Sequence, residues 1–156
     1  MTRPSVKSTA IRVAALTITF LIGCVVTYVF HRVYVRFEEV ATGSIRMQSG
    51  GWGSIHAYRA SDGVNLNFER RYFPSAEDAT KAFEEVLGAS NKILSREFVR
   101  DRDGKSVVGE RVFALFPADD GREWPMMVCL DGNKLYEISS TSVRHILIFE
   151  KKHRRY

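Results

Sequence analysis

Residues 105–140 read KSVVGERVFALFPADDGREWPMMVCLDGNKLYEISS, and the two Asp-Gly dipeptides inside them, Asp120-Gly121 and Asp131-Gly132, decide the fold. Each separates two runs rich in Val, Phe, Leu, Met and Tyr. Asp and Gly both tolerate the positive φ that tight hairpin turns require, so this dipeptide between strand-like runs marks an antiparallel hairpin. It recurs at Asp62-Gly63 and Asp103-Gly104. The strands so delimited cover 54–60, 64–73, 93–101, 105–116, 123–130 and 134–140.

The second of these strands alternates, with Val64, Leu66, Phe68 and Tyr72 pointing one way and Asn65, Asn67, Glu69 and Arg71 the other. Arg70 breaks the inward set. It belongs either at a sheet margin, where its head reaches water, or beside an acid. Pro74 stops the strand, and Ser75 with Asp78 three residues on resembles a capping box opening a helix over Ser75–Leu87, ended by Gly88. Ala76, Ala79, Phe83, Val86 and Leu87 share its apolar face. A last helix runs from about Ser142 to Lys152 with Val143, Ile146, Leu147 and Phe149 as its stripe. The order ββαββββα predicts an α+β domain: an antiparallel sheet of about six strands with helices packed on it, one or both covering its apolar face.

Upstream, Val13 to Phe30 is an eighteen-residue apolar run, VAALTITFLIGCVVTYVF, between Arg12 and His31-Arg32. A helix of that length covers about 27 Å, and Val33, Tyr34 and Val35 extend it toward the ~30 Å hydrocarbon core once Arg32 snorkels. One N-terminal transmembrane helix over 13–35 is therefore expected, preceded by a basic segment, 1–12. Two other readings compete. A cleaved signal peptide has the right basic opening but no A-x-A-like site. A lipoprotein is suggested because Leu21-Ile22-Gly23-Cys24 resembles the lipobox pattern, with Cys24 as the lipidated residue. Against it, Val-Val-Thr-Tyr-Val-Phe follows where a polar tether belongs. Three basic residues precede the span and two follow it, which places the N-terminus in the cytoplasm and the C-terminal domain outside.

The net charge of +5 lies at the two ends. Residues 1–36 hold five basic and no acidic residues, so the rest of the chain carries 18 of each sign. Without Lys151, Lys152, Arg154 and Arg155, residues 37–150 sum to −4. A domain of that sign does not attract phosphate backbones, and no nucleic-acid motif accompanies it. The basic C-terminal run instead complements the end of the last helix or contacts anionic lipid headgroups, the membrane being the one partner the sequence names.

Residues 36–53 read as a connector, with the membrane helix continuing to Ala41, a break at Thr42-Gly43-Ser44, and Ile45-Arg46-Met47 as a short strand. The globular domain then occupies 54–156. Trp52, between two glycines, is either a lid over the edge of the core or a ligand platform. His56 reads as a half-exposed strand histidine, His145 as lying on the polar side of the last helix, and Cys129, in VCL, as a small buried hydrophobe. The acids of the Asp-Gly turns lack a calcium-loop pattern and read as solvated. No metal-ligand spacing, phosphate loop or nucleophile elbow occurs, so no cofactor, metal or enzymatic activity is expected. The chain thus reads as a single-pass anchored, extracytoplasmic interaction or accessory module with an unidentified protein partner. The alternatives are a small-ligand binding domain using Trp52, His56 and Arg70, or a small hydrolase using Cys129 or Ser54 with His56.

Overall fold

The computed structural model describes residues 35–47, 51–100 and 103–153. These form β1 (Phe37–Arg46), β2 (Trp52–Ala60), β3 (Asn65–Tyr72), α1 (Ala76–Gly88), β4 (Lys92–Arg100), β5 (Val107–Pro117), β6 (Glu123–Asp131), β7 (Lys134–Ser140) and α2 (Val143–His153). The strands make one sheet in the order β1-β2-β3-β7-β6-β5-β4, every neighbouring pair antiparallel. The fold is α+β, as the turn pattern predicts, within a compact unit that starts at Arg36.

All four Asp-Gly glycines take positive φ, at 87°, 67°, 78° and 56° for Gly63, Gly104, Gly121 and Gly132. Their aspartates do not, so the dipeptide works through glycine alone. At the last turn Asp131 pairs with Lys134, which makes Gly132-Asn133 the two-residue loop and Asp131 the end of β6. Asn133 Nδ2 donates to the Phe73 carbonyl at 2.9 Å, fastening that loop to the end of β3.

Two expectations about the sheet need correction. The sheet has seven strands, not six. Phe37–Arg46, read as connector with a helix running to Ala41, is a ten-residue strand along β2. Glu38, Glu39 and Arg46 mask its apolar pattern because β1 is an edge strand whose side chains are mostly exposed, and an edge strand needs charge to discourage pairing with other chains. The two helices do not share a face. Val128 and Leu135 point toward α1, burying with Phe73, Phe83 and Leu87, while Met127, Cys129 and Ile138 point toward α2, burying with Leu66, Phe68, Ile146 and Phe149. The continuous run Pro125–Leu130 is the sequence trace of a strand covered on both sides. Phe83 and Phe149 are fully buried, each contributing about 2–3 kcal/mol to its own core.

Ser75 caps α1 by accepting from the Asp78 N–H at 3.1 Å, and its hydroxyl donates to Asp78 Oδ2 at 2.7 Å. The C-cap is Ala89 in a right-handed conformation, not a left-handed Gly88. Among the described residues no helix is long and apolar enough to cross a membrane. The expected span 13–30 and its continuation to Tyr34, Cys24, and the tail residues Arg154 and Arg155 all lie outside the described residues.

Candidate functional site

On the α2 face, the helix covers the middle of the sheet and leaves a cleft of about 650 Å³ beside it, lined by residues of β2, β3, β6, β7 and α2. Its floor is aromatic: the Phe68 and Tyr136 rings lie 6.2 Å apart and within 5° of parallel, with Phe149 packed beside Phe68 and Tyr58 beside Phe149. Register decides this grouping. Phe68 stands opposite His56 and Ile138, and Tyr136 opposite Arg70 and Cys129, so alternate residues of four strands converge on one surface.

Arg70 lies over that floor. Its guanidinium carbon is 5.4 Å from the Phe68 ring centroid and 5.7 Å from that of Tyr136, and Nη1 donates to the Tyr72 hydroxyl at 3.3 Å. Nε is buried, with no hydrogen-bond partner among the described residues. Of the two readings the sequence leaves for this residue, the acid pair is not what the fold makes: among the described residues no carboxylate forms a salt bridge with Arg70. Other arginines do have such partners. Arg71, its neighbour on the opposite face, pairs with Glu69 and Glu137, Arg96 with Glu84 and Glu110, and Arg111 with Glu97 and Glu150.

The carboxylates lining the cleft are engaged elsewhere. Glu150 accepts from Arg111 Nη1 at 3.0 Å, burial pushing its carboxyl above the usual range against that charge. Asp131 Oδ2 lies 3.7 Å from Lys134 Nζ. Burial, then the Glu39 carboxylate, raises the Tyr58 phenol, which therefore stays neutral and donates to Glu39 Oε2 at 3.3 Å. Lys152 also lines the cleft, and both it and Lys151 are exposed.

The three candidate ligand residues share this face. Trp52 pairs with Tyr72, Ser54 with Arg70, and His56 with Phe68. His56 and Arg70 line the cleft, whereas Trp52 lies outside the lining, 58% exposed, and stacks on Tyr72 at 4.1 Å and 14°. Trp52 therefore covers Tyr72 rather than the edge of the core, and the Tyr72 hydroxyl links that stack to Arg70. Phe68, Tyr136, Phe149 and His153 are the contributors sequence reading missed. Each reads as an ordinary core or surface residue of its own element, and only cross-strand register and helix docking bring them together.

Cys129 is buried, as its apolar surroundings predict, and burial followed by the Glu150 carboxylate pushes its thiol up to about 12. So little thiolate exists at neutral pH that it is a poor nucleophile. His145 is a correction. Rather than lying on the polar side of the last helix it is 4% exposed, with Nε2 at 2.9 Å and 3.0 Å from the Asp62 oxygens and Nδ1 at 2.7 Å from Ser142 Oγ. Its ring meets Phe37 edge-on. Through Ser142 and Asp62, His145 ties the first turn of α2 to the β2–β3 turn. Among the described residues no group of three or more His, Cys, Asp or Glu side chains is placed to hold a metal ion.

No protein-family model, curated protein or solved structure matches this chain.

Proposed function

We propose that the domain binds a small organic anion, of the carboxylate class with a planar apolar body, in the cleft beside α2, and that the apolar run Val13–Phe30 tethers it to a membrane. The observation that carries this reading is Arg70, a cation that forms no salt bridge among the described residues, stacked over paired aromatic rings in a cleft of about 650 Å³. That volume is within the usual range for small-molecule sites, and a guanidinium binds a carboxylate through two parallel hydrogen bonds. The Phe68 and Tyr136 rings supply the flat apolar surface for the ligand body. The full chain in phosphatidylcholine nanodiscs, titrated with 1-naphthoate and with neutral naphthalene against an empty-disc blank, tests it by ligand-observed NMR. Saturable binding of naphthoate alone is expected; equal responses to the two probes overturn it.

A second reading, an accessory module docking a protein partner, is favoured by β4. It ends the sheet, and Phe98 on it is 68% exposed, with Ile93 and Leu94 at 45% each. Phe98→Lys should abolish a crosslinked complex formed in native membranes. An unchanged crosslink removes this reading.

A further inference from the structure

We infer that the mouth of the cleft carries a serine nucleophile, Ser54, activated by His56 and positioned by Glu39, acting on esters of small organic acids. His56 Nε2 lies 3.0 Å from Ser54 Oγ, and Nδ1 lies 3.3 Å from both Glu39 Oε1 and Thr42 Oγ1. One ring nitrogen thus faces a hydroxyl and the other a carboxylate, the arrangement by which a base takes a hydroxyl proton while its second nitrogen is held in the donor tautomer. The carboxylate is 42% exposed and the imidazole 24%, so solvent reaches both, and His56 is the member of the group that lines the cleft.

Two backbone features build the cluster. Glu39 and Thr42 are three residues apart, which in a regular strand puts them on opposite faces. The register of β1 shifts between Glu39 and Ala41, leaving Val40 as the extra residue, so that Glu39 pairs with Tyr58 and Thr42 with His56 on the same face. Beside Ser54, a Cβ on Gly53 would lie 2.5 Å from the Arg70 carbonyl oxygen. Glycine there lets β2 press against β3, with Ser54 and Arg70 directly opposed. Across such a pair Cβ atoms are about 5 Å apart, within reach of a guanidinium for the oxygen of an intermediate formed on Ser54.

Ser54 Oγ attacks the ester carbonyl carbon while its proton passes to His56 Nε2. The carbonyl electron pair moves onto oxygen, and that oxyanion sits against the Arg70 guanidinium. Collapse restores the carbonyl and breaks the bond to the alcohol oxygen, which leaves with the proton from His56. Water then attacks the acyl-serine in the same way, giving its proton to His56, which returns it to Ser54 Oγ as the acid departs. The net change is ester plus water to acid plus alcohol. Glu39 touches no substrate; it orients the imidazole and balances its transient charge.

The inference rests on the cleft reading for where the substrate's body lies, and the test separates the two. The full chain in nanodiscs is treated with diisopropyl fluorophosphate, which needs no anion site, and the adduct is located by tandem mass spectrometry. A phosphoryl adduct on Ser54 is expected, with at least a hundredfold slower labelling in His56→Ala. Glu39→Gln should slow it about tenfold and move its pH profile, and Glu39→Asp should restore much of the rate. An unmodified Ser54, or labelling indifferent to His56→Ala, overturns the inference, while retained naphthoate binding leaves the cleft reading standing. Loss of naphthoate binding with Ser54 labelling intact overturns the cleft reading alone.

Discussion

Ser54 and Arg70 face each other across the β2–β3 ladder, on the face of the sheet that α2 partly covers. Ser54 follows Gly53 on β2, and Arg70 interrupts an otherwise apolar alternation on β3. Their opposition puts a hydroxyl directly across from a cation that lines the aromatic cleft.

Arg70→Gln should weaken binding of 1-naphthoate at least tenfold, measured by the same NMR titration. Arg70→Lys should fall between it and the parent, keeping the charge but losing the planar two-pronged donor. Arg70 forms no salt bridge among the described residues, so neither variant should lower the urea midpoint by much.

Phe149→Ala should cost about 3–5 kcal/mol of folding stability, because the ring is fully buried between α2 and the sheet, with Phe37, Tyr58, Phe68 and His153 against it. Urea unfolding followed by near-ultraviolet circular dichroism measures this. A loss under 1 kcal/mol would show that α2 does not need its central anchor.

The Asp62–His145 contact should make stability sensitive to acid. Burial pushes the Asp62 carboxyl up, but the hydrogen bond and charge of His145, with backbone N–H donors, hold it below its ordinary 3.8. A depressed carboxyl stabilises the fold above its unfolded pKa, and that contribution disappears as pH falls through the lower folded value. Asp62→Asn should therefore melt earlier than the parent near pH 6, with the gap closing below 3.8. A gap that persists at pH 2 would assign the loss to shape rather than charge.

Cys129, with its thiol pushed up to about 12, should resist iodoacetamide at pH 8 in the folded chain and react once urea unfolds it. Peptide mapping distinguishes it from Cys24. Modification at the rate of a free thiol would contradict its burial.

A phosphatase fused to the C-terminus should be active in a bacterial host, since that enzyme matures only outside the cytoplasm. A cytoplasmic reporter that lights up instead would reverse the proposed orientation, which rests on three basic residues against two.

The hairpins, the two helices and the α+β class were legible because each depends on local chemistry: glycine at positive φ, Ser75 and Asp78 at a helix start, alternation along β3. β1 was not, because an exposed, charged edge strand has no apolar period to read. Opposite placement of the helices was only implicit in the unbroken apolar run of β6. Trp52, His56 and Arg70 could be singled out as residues that break their local pattern, yet their common face, and the company of Tyr136 and His153, could not.

Sequence by itself determined the turns, the helix ends, the separation of charge between termini and core, and the apolar run that predicts an anchor, because those follow from forces acting within a few residues. Tertiary structure decided which side chains meet. Arg70 lies over Phe68 and Tyr136 because register sets it there; Glu39 reaches His56 because a single extra residue turns β1; and His145 is buried because the β2–β3 turn supplies Asp62 to receive it. Each of these depends on pairing between distant segments, whose energies are set by the whole sheet rather than by any stretch of it.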